Sequence, residues 1–427
     1  MNKIFYAISI SICAAFISCS KQTQNMNVKE GQQEIAILSY NSQESLKEAI
    51  RNSDSSITKV YDMGILNLFT PLHEYDYLSD PILSYEYATY VNGDIEEQQP
   101  VYRVFGYDEL IPNENFAKLL NIRGEIRVGS RIYKISPKGT YSFPESMHQQ
   151  FLENYHVYEM NEGKQIDEKT YEVAPSIIRY NTFEESESSA VVYEGKDAEN
   201  SCGTKALPSF NWSQYPTYSG AASDYLDNQI FIYNMPNRRM KTRVYHHNYL
   251  VYQERGAYVK CERGYTFGWR DAVSQNLALT WNNIIMQGAH NPTEMVPPSG
   301  SYMGYTTEQV TYEGVNVNMI VIRGYVIPSN SINSVVTGGK ATLRALILNA
   351  VNVDINNYSI VRLVGHDYVQ VVFLGTWNRF DSNVYEVKKV FTDDWFTGIP
   401  AFVGGQFMYA ALADNGDFGA MRVGTAF

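Results

Sequence analysis

Val315-Asn316-Val317-Asn318-Met319-Ile320-Val321-Ile322-Arg323-Gly324-Tyr325-Val326-Ile327 decides the fold class. The stretch is dominated by β-branched residues, whose stiff side chains suit a pleated surface better than a helix. Reading outward, Tyr258 to Cys261, Leu277 to Trp281 and Val369 to Leu374 carry the same residue types. Val244 to Tyr252 does so too, with a hinge expected at His246-His247-Asn248. One helix interrupts these strands: Lys340 to Asn349 places Leu343, Leu346 and Ile347 at helical spacing, directly after Gly338-Gly339. The second half is therefore strand-rich, and the chain as a whole reads as α+β.

The first half mixes its signals. Ile35-Ala36-Ile37-Leu38 reads as a strand, and Ser42 or Asn41 caps an amphipathic helix running to Ile50. Asn92-Gly93 and Gly129-Ser130 read as hairpin turns, because asparagine and glycine tolerate positive φ. Asn113 to Asn121 reads as a helix carrying Phe116, Leu119 and Leu120, and Ser142-Phe143-Pro144-Glu145 has capping-box spacing ahead of a helix with Met147 and Phe151. Between 181 and 207 the chain becomes acidic, serine-rich and poor in apolar residues, apart from Val191-Val192-Tyr193, which suits a short edge strand. That stretch divides the chain into an N-terminal domain over 34–180 and a strand-rich domain over 208–427. No fixed-period repeat occurs, so neither a solenoid nor a propeller is expected.

Residues 1–18 read as an export signal, with Lys3 before an apolar run from Ile4 to Ile17 and Phe16-Ile17-Ser18-Cys19 at the cleavage point. The run is fourteen residues long, whereas a spanning helix needs about 20. Cys19 is the expected lipidated residue, and the polar segment 19–33 a tether. Of four cysteines, Cys202 and Cys261 are then left in an oxidising compartment, where compartment and count allow either a disulfide between them or two separate thiols. Formal charge is −12, and −13 once Lys3 is removed with the signal. Nucleic acid is not an expected partner, because a phosphate-binding face must be basic. The one basic run, Arg238-Arg239-Met240-Lys241-Thr242-Arg243, reads as the solvent face of a strand. The 34 tyrosines suit half-buried strands and binding-site margins alike.

Phe116-Ala117-Lys118-Leu119-Leu120-Asn121, Gly124 to Gly129, Ile132 to Ile135 and Gly139-Thr140-Tyr141 resemble a segment of uncharacterised lipoproteins of gut Bacteroidetes. The run from Asn237 through Gly256 and Gly268-Trp269 to Trp281 resembles the same group. The resemblance implies an outer-membrane lipoprotein held by its lipid anchor and brings no activity. Ser20-Lys21-Gln22-Thr23 stands where surface-displayed lipoproteins carry an acidic run. Both the periplasmic face and the cell surface thus stay open.

No local catalytic motif appears: there is no His-Glu-x-x-His, Gly-x-Ser-x-Gly, phosphate-cradling glycine loop or Cys-x-x-Cys. His246-His247 could meet Cys261 across a hairpin, although adjacent strand residues face opposite ways. His366-Asp367 after Gly365 reads as a hairpin loop, Glu96-Glu97 and Asp393-Asp394 as solvated loops, and Asp414-Asn415-Gly416-Asp417 as a tight turn rather than a calcium loop. No catalytic residue, metal ligand or cofactor is assigned. Trp377 and Arg379, with Asp394 and Trp395, place indoles beside polar side chains, a mixture that stacks on sugar faces and hydrogen-bonds their hydroxyls. The preferred reading is a non-enzymatic lipoprotein that binds or adheres to a glycan or protein. The alternative is a hydrolase of glycan or peptide with dispersed acidic residues; a purely structural envelope component is the third.

Overall fold

A computed structural model describes residues 35–51, 65–91, 98–183, 191–193, 229–235, 237–265, 268–289, 304–391, 401–412 and 418–423. Cys19, the 19–33 tether, Asn92-Gly93, Glu96-Glu97, Cys202, Asp393-Asp394, Trp395 and the Asp414 to Asp417 turn lie outside them, as does most of 181–207. The fold is α+β with many strands and few long helices. Among the described residues no helix is long and apolar enough to cross a membrane.

The N-terminal sheet comprises β1 (Ser39–Tyr40), β2 (Glu125–Val128), β3 (Arg131–Ser136), β4 (Gly139–Pro144), β5 (Lys164–Gln165), β6 (Thr170–Ala174) and β7 (Ile177–Tyr180), ordered β1-β2-β3-β4-β7-β6-β5. Gly129 and Ser130 close the β2–β3 hairpin, with Gly129 at φ 61°. Helix α1 (Gln43–Arg51) is capped as expected, by reciprocal hydrogen bonds between the Ser42 and Ser45 backbone amides and hydroxyls. Next come α2 (Pro81–Tyr90), α3 (Val101–Val104), α4 (Tyr107–Leu110), α5 (Glu114–Ala117) and α6 (His148–Met160).

Three local expectations are corrected here. The 35–38 segment is not a strand: pairing begins at Ser39, although the Leu38 carbonyl already accepts from the Arg127 amide. The Asn113–Asn121 helix shrinks to the single turn α5, where Asn113 caps the amides of Asn115 and Phe116 while Phe116, Leu119 and Leu120 are buried. Ser142 caps nothing: it lies inside β4, and its hydroxyl accepts from Arg131 Nε at 2.8 Å. The cross-strand guanidinium takes the hydroxyl that a helix terminus would have used.

A second sheet runs β12-β11-β10-β9-β8, from β8 (Val191–Tyr193), β9 (Gln229–Met235), β10 (Arg238–Asn248), β11 (Gln253–Tyr265) and β12 (Gly268–Asp271). Its β8 is the edge strand expected from Val191-Val192-Tyr193. The third sheet is built from β13 (Ser274–Gly288), β14 (Gly304–Tyr312), β15 (Val315–Arg323), β16 (Ile360–Val364) and β17 (Val369–Val384), followed, after β18 (Glu386–Phe391) crosses to pair with β11, by β19 (Ala401–Leu412) and β20 (Phe418–Val423). Its order is β14-β15-β16-β17-β13-β19-β20.

Helix α7 (Ile332–Val351) joins the parallel pair β15 and β16, as a parallel pair requires a crossover. This explains the apolar run that decides the fold class. Met319 and Val321 face a core between the two sheets, with Trp281, Phe373, Phe391 and Phe407, while Ile320 and Ile322 face α7 through Val335, Val336, Leu343 and Ile347. A sheet covered on both faces needs apolar residues at every position rather than at alternate ones.

Candidate functional site

Two places gather polar side chains that a packed core does not need: a cavity where α7 crosses the third sheet, and a buried ionic junction between the N-terminal residues and the second sheet.

The cavity begins with a register shift. Asn282 pairs with Thr376 and Ile284 with Phe373, so Asn283 on β13 opposes Leu374 and Gly375 on β17. This is a β-bulge, with Gly375 at φ 82° supplying the conformation that lets the extra residue fit. Asn283 itself stands at φ 49°, a region asparagine tolerates. Both ends of its buried amide are engaged: Nδ2 donates to the Val336 carbonyl of α7 at 3.1 Å, and Oδ1 accepts from the Gly375 amide at 3.1 Å. On the other side α7 breaks at Gly339, with φ 58° and ψ −142°, so the helix expected from Lys340 onward is the second segment of a kinked one. A Cβ on Gly339 would lie 2.9 Å from Asn283 Nδ2. The amide therefore clamps bulge to kink, and only glycine lets the helix approach so closely.

The space left open is about 460 Å³, lined by Asn282, Asn283, Lys340, Ser359, Thr376 and Trp377 together with Gly339, Leu374 and Gly375. That is the size of a small-molecule site. Trp377 is half-buried: its indole N–H donates to the Leu374 carbonyl at 3.2 Å, and Tyr312 stands edge-on to it at 4.7 Å. Lys340 Nζ donates to the Asn356 carbonyl at 3.2 Å. Neither a carboxylate nor an imidazole is among the described residues of the lining.

Trp377, singled out from the sequence, lies on the cavity. Arg379, two positions on, is exposed outside the lining and donates to the Lys388 carbonyl. Asn282, Asn283, Lys340, Ser359 and Thr376 were not anticipated. Asn282-Asn283 inside an apolar strand, with Gly375 in the partner strand and Gly338-Gly339 ahead of the helix, is the kind of interruption that marks a bulge or close backbone approach.

The junction overturns the solvent-face reading of Arg238 to Arg243. Arg238, Lys241, Thr242 and Arg243 are all buried. Lys241 Nζ lies 2.6 Å from Glu109, and Lys260 Nζ lies 2.5 Å from Asp108, 3.3 Å from Glu109 and 3.9 Å from Glu386. Arg239 pairs with Glu262 across the strands and sits over the Trp269 ring. Burial favours the neutral acid at Glu109, but the Lys260 and Lys241 ammonium groups outweigh it and hold the carboxyl well below the usual range.

The expected hinge at His246 is absent, since β10 continues to Asn248 and the turn follows at Tyr249 to Tyr252. That turn inserts Tyr249, Val251 and Tyr252 among the N-terminal apolar residues. His246 and His247 pair opposite Arg255 and Glu254, whereas Cys261 pairs opposite Met240. Six residues of strand, about 20 Å at the usual rise, separate His246 from that register. Cys261 is buried in the intersheet core. His366 and Asp367 occupy the β16–β17 turn, with Nδ1 and Oδ1 2.8 Å apart and both side chains exposed.

Under the turn, the Tyr249 hydroxyl lies 2.6 Å from the Leu110 carbonyl, 2.8 Å from Glu254 Oε1 and 3.1 Å from His247 Nδ1. One phenolic proton cannot serve all three acceptors. Burial pushes the Glu254 carboxyl up to about 8, opposed by the Tyr249 hydrogen bond and by Lys388. A protonated Glu254 donates to Tyr249, which donates in turn to Leu110. His247 is held neutral, first by burial and then by Arg243.

No protein-family model matches the chain, and no curated protein matches it. Among solved structures the chain is similar to a DUF4848 family protein from Bacteroides thetaiotaomicron, with 9% identity over 91% of this chain and 96% of that one and a TM-score of 0.18. That weak neighbour is a protein of a family without assigned function, and an overlay at this score carries no argument for shared fold or activity.

Proposed function

We propose that this protein is a non-enzymatic lipoprotein of the outer membrane, anchored through Cys19 and tethered by 19–33, that binds a saccharide in the cavity between the β13–β17 bulge and the α7 kink. The observation that supports the reading is the lining: an indole beside amide, hydroxyl and ammonium groups, open to solvent. An apolar ring face covers the C–H face of a sugar while short polar groups meet its hydroxyls. Glycoside hydrolysis ordinarily uses a pair of carboxyl groups flanking the scissile bond, and the described lining offers amide, hydroxyl and ammonium groups. In the same reading, 34–180 and 208–427 are two domains divided at 181–207 and held together by the ionic junction, with Asp394 and Trp395 further ligand contacts.

Glycan-array screening of the purified full chain, followed by calorimetry on the best ligand, tests the binding. Trp377→Ala should weaken affinity by about tenfold or more, ~1.4 kcal/mol, with an unchanged circular dichroism spectrum. Retained affinity in a folded Trp377→Ala protein would sink the assignment of the cavity. For the address, Cys19→Ala should release the protein from the membrane fraction and abolish its acyl mass.

A further inference from the structure

The ammonium of Lys340 is the one charge among the described residues lining the cavity. We infer that the ligand is an anionic saccharide, its carboxylate or sulfate seated against Lys340; this deepens the saccharide-binding reading and rests on it. The chain carries a formal charge of −12, so its overall field repels an anion, and a site that accepts one must present a local cation.

Lys340 is placed to do so. It follows the α7 kink at Gly339, and its Nζ donates to the Asn356 carbonyl, in the connection that leads from α7 to β16, at 3.2 Å. An ammonium has three donors, so this bond leaves two for a ligand. Around the ammonium, Asn282, Ser359 and Thr376 are neutral groups suited to hydroxyls, while Trp377 supplies the stacking surface. A neutral sugar uses only the latter four; the cation adds to affinity only when an anion meets it. Lysine acts as a point charge, so carboxylate and sulfate are both accommodated.

Calorimetry at low salt with three matched oligosaccharides, one uronate-bearing, one sulfated and one neutral, decides the matter. The native chain should bind at least one acidic ligand about tenfold more tightly than the neutral one, and the preference should collapse in 0.5 M salt. Lys340→Gln should abolish the preference, bringing acidic and neutral ligands to one affinity, whereas Arg344→Gln, outside the lining, should keep the preference. Which acidic ligand wins separates carboxylate from sulfate recognition. Equal binding of acidic and neutral ligands, or a preference that survives Lys340→Gln, overturns the anionic assignment while leaving saccharide binding intact. Failure of the native chain to bind any of the three or any array glycan overturns both.

Discussion

The cavity and the junction are both polar interruptions of an apolar molecule, and they solve the cost of burial in opposite ways. At the junction, charges are removed from water: Lys260 is buried, and Asp108, Glu109 and Glu386 surround it within 4 Å. At the cavity the buried group is a neutral amide, Asn283, hydrogen-bonded through both its nitrogen and its oxygen, while the one charge among the described lining residues, Lys340, is only half-buried. A buried charge holds together what its partners hold, because losing a partner leaves an uncompensated ion. A satisfied amide fixes backbone positions without creating a strong field, and so can shape a site without dictating its ligand. The junction is built for cohesion, and the cavity, in the reading proposed above, for recognition.

That contrast breaks if Lys260→Met is tolerated. Removing the ammonium leaves Asp108 without its cation and weakens the hold on Glu109 and Glu386, and urea unfolding should show a loss of about 3–5 kcal/mol. Part of the loss should return in Lys260→Met/Asp108→Leu, where charge and counter-charge leave together.

Gly339→Ala probes the other region. It forces a side chain into a positive-φ conformation and against the Asn283 amide. A loss of about 1–3 kcal/mol is expected, together with weaker ligand binding, since the bulge and the kink part. Equal stability with weakened binding would place Gly339 in recognition alone and undo the clamp.

Glu254→Gln sharpens the junction side through pH. The folded carboxyl titrates near 8, above an unfolded value of about 4.3. Between these values the folded chain keeps a proton that the unfolded chain gives up, so native stability falls as pH rises from about 4.3 to about 8. Glutamine keeps a donor for Tyr249 and removes the ionisation. The variant's stability should therefore lie close to that of the native chain near pH 5 and exceed it at pH 9 by several kcal/mol, at about 1.4 kcal/mol per unit of pKa difference. Identical pH profiles would show that Glu254 is already ionised at neutral pH. The smallest effect is expected from Arg344→Gln, whose ion pair with Asp354 is exposed: melting temperature and ligand affinity should both stay at native values.

The sequence by itself determined what depends on neighbours a few residues apart. Turn chemistry at Gly129-Ser130, the serine cap of α1, the helix after Gly339 and the strand character of Val315 to Ile327 follow from φ preference and from side-chain periodicity, and each was legible. Periodicity says that a face is buried without saying by what. Thus Arg238 to Arg243 read as a wet strand face, although Lys241 meets Glu109 across 132 residues and Lys260 meets Asp108 across 152. Trp377 could be singled out by residue type, but Asn283, Lys340, Ser359 and Thr376 become lining only because a bulge on one strand pair meets a kink in one helix. Only the tertiary structure decides such meetings, because the energy of an ion pair or a shared amide depends on separation in space, and loops of more than a hundred residues place almost no constraint on which charges will come together.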